Sequence, residues 1–175
     1  EGVTKSGARF NPDKTKWFNE QYLRQLPTDA AVAAFRECAK GEVDQWDDAR
    51  CIHVLDMMLE RVSFMQEISA HRYLFEAPAT FDEKLMAKKW KPETAGYVLQ
   101  LKAVLASVES FDSSSIETAF KAFLEENNLG FGAVLLPFRL VLTGTGGGPS
   151  MFDFASFLGR EETMRRIDLG LAKVS

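Results

Sequence analysis

The distribution of chain-breaking residues constrains the fold of this sequence more than any other feature. Apolar residues recur at helical spacing along almost the whole chain, and residues 143–149 form the one long interruption. No segment alternates apolar and polar residues in the way that a half-buried strand does. The sequence therefore predicts an all-α protein.

Prolines, glycines and capping residues place the helix ends in the first part of the chain. Four helices are predicted there: one from the cap-then-proline sequence Asn11-Pro12-Asp13 to Leu26-Pro27, one ending at Gly41, one over residues 47–60 and one over residues 63–75. Ala77-Pro78 then breaks the chain. We expect two small helical bundles, formed by residues 1–77 and 78–175.

The second bundle is predicted to contain six helices. They cover residues 82–89 after the capping-box sequence Thr80-x-x-Glu83, residues 92–111, a segment from a cap at Ser114 to the turn at residues 127–130, and residues 131–142, 150–158 and 161–173.

Composition limits the classes of function. The 175 residues are 46% hydrophobic, enough for real cores, but no apolar run reaches the roughly 18–20 residues of a membrane helix. The two cysteines, Cys38 and Cys51, lack metal-ligand spacing and fit a reduced, cytoplasmic protein. A net charge of −4 argues against general nucleic-acid binding. The opening sequence Glu1-Gly2-Val3-Thr4-Lys5-Ser6 looks like a cut through a larger protein, so we expect the chain to be a fragment.

The glycine-rich stretch from Gly144 to Gly148 admits two readings. A phosphate-binding P-loop follows a strand and continues into Gly-Lys-Ser/Thr, whereas here a helix precedes and Pro149-Ser150 follows. A flexible connection between helices is the favoured reading, and glycines also let RNA approach the backbone closely.

Four arginines are candidates for binding. Arg139 interrupts an apolar helix, where a charge must be paired or hydrated, so it either forms a structural ion pair or faces a ligand. Arg61 reads by pattern alone as a solvated residue. Arg165 and Arg166 either complement the dipole of the last helix or touch phosphates. Catalytic and metal-binding constellations are not predicted: His53 and His71 are far apart in the sequence, and Asp56, three residues after His53, fits a surface hydrogen-bond pair better than a metal site.

The last third contains the pattern P-x-R-x-x-L-T-G, then P-x-x-F, L-G-R-E and R-R-I, running from Pro137 to Ile167. Near the start, Phe10-Asn11 is followed by Lys14, Trp17, Asn19 and Tyr22-Leu23, and the middle contains Arg61 and His71-Arg72-Tyr73-Leu74-Phe75. Together these motifs resemble the C-terminal anticodon-binding region of bacterial glutamyl-tRNA synthetases over nearly the whole chain.

The resemblance implies the helical anticodon-binding half of a glutamate–tRNA ligase, a cytoplasmic and monomeric enzyme whose partner is the anticodon loop of glutamate tRNA. The family's His-Ile-Gly-His-like and Lys-Met-Ser-Lys-Ser-like signatures around ATP are absent. This chain alone should therefore carry no catalytic residue and no cofactor, with ATP and Mg²⁺ bound by a catalytic domain that the sequence does not include.

The resemblance also implies which residues hold the anticodon. Arg61 matches the arginine that reads the third anticodon base, a cytosine, and excludes the guanine of glutamine tRNA; Arg50 is a weaker match. Arg139 matches the second reading arginine. Gly148, Pro149 and Met151 match positions that line the base pocket, where a methionine can cover a base face.

Two alternatives stay open. A helical protein-interaction module without an RNA role would suit the acidic charge. The same region of an enzyme that charges both glutamate and glutamine tRNAs would share the fold, but there the third-base arginine is typically replaced.

Overall fold

The computed structural model describes residues 12–174, without the side chain of Val174, and all the regular structure in this part of the chain is helical. The helices are α1 (Pro12–Gln25), α2 (Thr28–Cys38), α3 (Asp48–Met58), α4 (Met65–Ala70), a 3₁₀ helix (Arg72–Leu74), α5 (Glu83–Lys89), α6 (Thr94–Ala106), α7 (Ser113–Glu126), α8 (Phe131–Thr143), α9 (Met151–Leu158) and α10 (Arg160–Val174). The all-α prediction is confirmed. Residues 1–11, with the predicted cap at Asn11 and the Phe10-Asn11 motif, lie outside the described residues.

Two predicted helices are shorter in the structure. The helix expected over residues 63–75 ends at Ala70, because His71 leaves the helical conformation (φ −80°, ψ 76°) before the 3₁₀ helix begins. The helix expected over residues 92–111 begins at Thr94 and ends at Ala106. Apolar periodicity continues through both breaks, so it could not reveal them.

Aspartates cap three of the helices. Asp47, Asp82 and Asp112 each accept a hydrogen bond from the backbone N–H three residues on, at 2.8–2.9 Å, which satisfies a donor that the first turn leaves unpaired. The predicted caps at Thr80 and Ser114 are therefore wrong. In both cases an aspartate two residues away takes the position, since its carboxylate also complements the positive end of the helix.

One continuous apolar cluster runs through the described residues from Leu23 to Ile167. Helix α3 contacts α9, and just before α3 the Trp46 ring lies 5.7 Å from the rings of both Phe75 and Phe157. The core thus crosses the expected boundary at residues 77 and 78. The division into two bundles stays a prediction.

The Arg166 guanidinium joins distant parts of the chain at the centre of the molecule. It donates to the Tyr73 carbonyl at 2.7 Å, to the Leu142 carbonyl at 3.0 Å and to the Glu162 carboxylate at 2.7 Å, and only 2% of the residue is exposed. A buried charge is tolerated when it is paired and hydrogen-bonded in this way. Arg166 therefore fixes α10 against both the 3₁₀ helix and the end of α8.

A contact with the segment before α5 fixes the end of α8. Gly144 adopts a left-handed conformation (φ 74°) that ends the helix, and a Cβ there would lie 2.5 Å from the Thr80 carbonyl oxygen. Its own carbonyl accepts from the Asp82 N–H at 2.9 Å. These contacts set the direction in which the chain leaves α8. Among residues 12–174, no helix has the length and apolar character needed to cross a membrane.

Candidate functional site

The connection between α8 and α9, residues 144–149, forms a tight turn that we call the glycine turn. The single O–H of Thr143 lies within hydrogen-bonding distance of the carbonyls of Arg139 and Thr145, and the Thr145 hydroxyl donates to the Gly147 carbonyl at 3.0 Å. Ser150 then caps α9. The turn is therefore ordered by threonine hydroxyls on its α8 side, while a Cβ at Gly147 would meet nothing within 4 Å.

Arg139 lies half-buried beside the glycine turn. Its Nη1 donates to the Pro149 carbonyl at 2.9 Å, and among residues 12–174 no carboxylate lies within ion-pair distance of it. Burial lowers the pKa of this guanidinium. The structural ion pair considered from the sequence is therefore not what holds Arg139. Four of its five N–H donors have no partner in the described part of the protein.

Arg61 follows α3 and reaches the same region from the other half of the chain. It lines a cavity of about 390 Å³ with Pro149 and Ser150, and the remaining walls are Asp56, Met57, Glu60 and Asp153. The Arg61 guanidinium is exposed and makes no hydrogen bond or ion pair with a described residue. The cavity therefore places a free arginine beside three carboxylates and the end of the glycine turn.

Tyr73 completes this region, although its apolar neighbours along the chain do not distinguish it from core aromatics. Its hydroxyl is buried and has no hydrogen-bond partner among the described residues. Burial raises the pKa of the phenol, while the positive charges of Arg139 and Arg61 act in the opposite direction. A tyrosine in an apolar segment looks like core by pattern, so only its tertiary surroundings distinguish it.

Gly148 and Pro149 lie beside Arg139, and their contact with a base stays a prediction, whereas Met151 does not have an open face. Gly148 has a φ of 131°, which favours glycine, and a Cβ there would lie 3.0 Å from the Tyr73 Oη and 3.4 Å from the Arg139 Nη1. Met151 is 1% exposed and packs in the core at the start of α9. The expectation that its side chain covers a base is corrected for this structure, because the first turn of α9 is apolar and faces inward.

The two arginines of α10 differ in exposure, and one of them is unavailable to a ligand. Arg165 is exposed and donates two hydrogen bonds to the Glu162 carboxylate, at 2.7 and 2.8 Å. It lines a different cavity from that of Arg61, and its contact with phosphate stays a prediction. The expectation that Arg166 touches phosphates is corrected, since its guanidinium is buried and donates to two carbonyls and a carboxylate. It also lies in the middle of α10 rather than near the helix end.

Arg50, the weaker third-base candidate, is held between two aromatic rings. Its guanidinium carbon lies 4.5 Å from the ring centres of both Trp46 and Phe157, and burial lowers its pKa. This position links α3 to α9 by cation–π contacts. Arg50 is thus part of the packing between these helices.

The glycine turn does not form a P-loop, because a helix precedes it and no lysine follows. In the described part of the chain, no three His, Cys, Asp or Glu side chains gather where they could hold a metal ion. The site offers N–H donors of Arg61 and Arg139, the unpaired Tyr73 hydroxyl, and a backbone segment of glycines that lack side chains. Such groups bind planar, hydrogen-bonding ligands better than they perform bond-breaking chemistry.

Comparison with known proteins assigns the chain to a family. The model of the anticodon binding domain matches residues 15–171. The chain belongs to this family. The glutamate–tRNA ligases of Flavobacterium psychrophilum and Flavobacterium johnsoniae are 38% and 37% identical to the domain, over 97% of this chain and 34% of each relative.

Solved structures of two ligases have the same fold as this anticodon-binding domain. A glutamate tRNA ligase from Elizabethkingia meningosepticum, in complex with its amino acid, has a TM-score of 0.91 at 33% identity and covers 99% of this chain. A glutamate-tRNA synthetase from Elizabethkingia anophelis has a TM-score of 0.86 at 31% identity. The domain spans about a third of the length of these relatives.

Proposed function

We propose that this chain is the anticodon-binding part of a glutamate–tRNA ligase and that it holds the anticodon of glutamate tRNA. The observation that carries the proposal is that Arg61, from the segment after α3, meets the end of the glycine turn, which Arg139 of the preceding helix contacts. Both guanidiniums retain donors without partners at that point. Arginines facing splayed bases are a common way for proteins to read single-stranded RNA.

The charge around Arg61 favours a base over a phosphate as its ligand. Asp56, Glu60 and Asp153 share its cavity, so the walls carry more negative than positive charge. A phosphate would be repelled there, whereas a carboxylate accepts from the amino group of a cytosine and an arginine donates to its acceptors. The acidic net charge of the chain, which disfavours general RNA binding, is therefore compatible with reading a base edge.

We propose that the intact protein has ligase activity and that this chain by itself does not. Glutamate activation by ATP and Mg²⁺ would belong to the catalytic domain, since the family's ATP-site signatures are absent from this sequence and the described residues form no metal cluster. The isolated chain should show no glutamate-dependent ATP–pyrophosphate exchange. We place the ligase in the cytoplasm and expect the chain to be monomeric.

The affinity of the chain for anticodon stem-loops tests the proposal. The probe is the fluorescently labelled stem-loop of glutamate tRNA, and its matched control differs only by a guanine in place of the third anticodon cytosine. We expect tighter binding of the cytosine form by about 1–3 kcal/mol, the usual cost of a mismatched base contact. An unrelated stem-loop of the same length measures binding to the backbone.

Equal affinity for all three RNAs would show that the chain does not read the anticodon. Equal affinity for the cytosine and guanine forms of the stem-loop, with the unrelated RNA bound weakly, would favour an enzyme that charges both glutamate and glutamine tRNAs. A protein-interaction module predicts no measurable binding of any stem-loop. The free Arg61 guanidinium favours the discriminating enzyme, because an arginine at that position can exclude a purine.

A further inference from the structure

Tyr73 carries a buried hydroxyl that the fold does not use. Only 5% of the residue is exposed, and its Oη has no hydrogen-bond partner in the described part of the chain. Most buried polar atoms in proteins are paired, and an unpaired one needs an explanation because it is unfavourable for stability. Phenylalanine would fill the same space without that disadvantage.

The hydroxyl is held in place by its surroundings. The Tyr73 carbonyl accepts from the buried Arg166 guanidinium, and the Tyr73 ring packs edge-to-face on Phe154 with ring centres 5.3 Å apart. The rings of His71 and Tyr73 also lie close together, with their centres 5.4 Å apart. Backbone and ring are thus both fixed, so the phenol cannot easily turn toward another partner.

The hydroxyl points at the glycine turn. The Tyr73 Oη and the Arg139 Nη1 lie 3.0 and 3.4 Å from the point that a Cβ of Gly148 would occupy. Arg139 meanwhile donates to the carbonyl of Pro149, the next residue. Two donors therefore flank the same piece of backbone, and in the unbound protein only the arginine bonds to it.

An anticodon base that bonds to Arg139 would compete with the Pro149 carbonyl for its guanidinium. Pro149 is buried, so a carbonyl that loses this donor needs another one. A phenol hydroxyl can donate a hydrogen bond, and Gly148 leaves room for the turn to adjust toward it.

We propose that Tyr73 is a positioning residue for anticodon binding: when a nucleotide draws the Arg139 guanidinium away from the Pro149 carbonyl, the Tyr73 hydroxyl donates to the backbone of the glycine turn and holds the turn in its RNA-bound form. This inference rests on the proposed function, in which Arg139 contacts an anticodon base. It assigns the unpaired hydroxyl to the bound state rather than to the stability of the free protein.

A double-mutant cycle tests the proposal. Tyr73→Phe, Arg139→Ala and the double variant are compared with the wild-type chain for affinity to the glutamate anticodon stem-loop and for the midpoint of thermal unfolding. We expect Tyr73→Phe to weaken RNA binding about 3- to 10-fold, the size of one net hydrogen bond, with the unfolding midpoint unchanged or raised. In the Arg139→Ala background the same substitution should have almost no further effect on affinity.

Tyr97→Phe is the matched control, because Tyr97 is a half-buried tyrosine of α6 that lines a separate cavity. It should leave the affinity unchanged. Wild-type affinity in Tyr73→Phe beside weakened binding in Arg139→Ala would overturn this inference and leave the proposed function standing. Unchanged affinity in both single variants would instead remove the proposed function.

Two further outcomes would also overturn the inference. Additive losses of affinity would mean that Tyr73 acts independently of Arg139. A lowered unfolding midpoint in Tyr73→Phe would mean that the hydroxyl already has a partner in the free protein.

Discussion

At the scale of single residues, Arg139 and Arg166 differ in how far their hydrogen-bonding capacity is used. Arg166 donates to two carbonyls and a carboxylate and is almost completely buried. Arg139 donates once, to the Pro149 carbonyl, and keeps four donors without a partner in the described structure. An arginine whose donors are engaged stabilises the fold, whereas one with free donors beside a turn can bind a ligand.

Replacing Arg139 should therefore affect RNA binding more than folding. We expect Arg139→Ala to weaken affinity for the glutamate anticodon stem-loop by about 1–3 kcal/mol, or about 5- to 150-fold, if the arginine bonds to a base. No carboxylate loses its partner, and the unpaired Tyr73 hydroxyl is available to donate to the turn backbone in place of Arg139, so the unfolding midpoint should change little. The measurements are fluorescence anisotropy and thermal unfolding.

Arg139→Lys separates charge from geometry in the same experiment. Lysine keeps the positive charge but lacks the planar fork of donors, so it should recover only part of the lost affinity. An Arg139→Ala variant that unfolds earlier and shows no separate loss of binding would assign Arg139 to the structure alone.

Arg61 should control the choice between tRNAs. In the intact ligase, we expect Arg61→Gln to lose little kcat/KM on glutamate tRNA and to gain on glutamine tRNA, shifting the ratio by about 1–2 kcal/mol. The reason is that a guanidinium beside the third base both donates to cytosine and crowds a purine.

Arg50→Gln is the matched control for this prediction. Because the Arg50 guanidinium packs between Trp46 and Phe157, its loss should lower the unfolding midpoint and leave the ratio between the two tRNAs unchanged. If instead the ratio shifts in Arg50→Gln and not in Arg61→Gln, the third base is read by Arg50.

At the scale of helices, the contact between α8 and α10 depends on one glycine. A Cβ at Gly170 would lie 2.6 Å from the Cβ and 3.0 Å from the Cα of Val141, so the two helices approach too closely for any side chain there. This contact fixes α10 and, through it, the Arg166 guanidinium. The end of α8 beside the glycine turn is positioned by the same packing.

We expect Gly170→Ala to lower the free energy of unfolding by about 1–3 kcal/mol, the usual effect of overpacking a core. Gly96→Ala is the matched control, because Gly96 lies in α6 and a Cβ there meets nothing within 4 Å. That variant should gain about 0.5–1 kcal/mol from the better helix propensity of alanine. Urea unfolding of both variants measures the difference; equal effects would contradict the close approach of α8 and α10.

At the scale of the whole molecule, Glu162 connects the surface of α10 to the buried network. Hydrogen bonds from Arg165 and then from Arg166 lower the pKa of its carboxyl, against the opposing effect of partial burial. The ionised carboxylate is therefore favoured in the folded protein. Since the Arg166 guanidinium also bonds to Tyr73 and Leu142, we expect protonation of Glu162 to weaken the position of that guanidinium as well.

This linkage predicts a loss of stability in acid. A carboxyl whose pKa is lowered by folding stabilises the protein above its ordinary value of 4.5, and that contribution disappears as the pH falls from 4.5 through the folded pKa. Glu162→Gln should be less stable than wild type at pH 7 and should lose less free energy of unfolding between pH 5 and pH 3. These two pH values lie about half a unit above and roughly 1.5 units below 4.5, the ordinary pKa of a glutamate carboxyl.

The exposed neighbour Glu161 provides the control for this titration. Glu161→Gln should keep the wild-type dependence on pH, because Glu161 makes none of the bonds to Arg165 or Arg166. Identical pH profiles for wild type and Glu162→Gln would mean that the pair with Arg166 does not contribute to stability.

The sequence by itself determined the features that depend on neighbours along the chain. Helical periodicity identified the fold class, and glycine and proline marked the turn at residues 144–149, because these residues act on the local backbone. Arg139 also stood out, since a charge in an apolar helix is visible without knowledge of its surroundings. The order of motifs was enough to predict the family.

The tertiary structure alone decided which of these residues are open to a ligand. Arg165 and Arg166 are adjacent in sequence, yet one is exposed and the other buried against a carbonyl 93 residues away. Arg61 shares a cavity with Pro149, and the Tyr73 hydroxyl faces Gly148, across similar distances along the chain. Local pattern carries no information about such contacts, because burial and pairing depend on how α3, α8, α9 and α10 pack together.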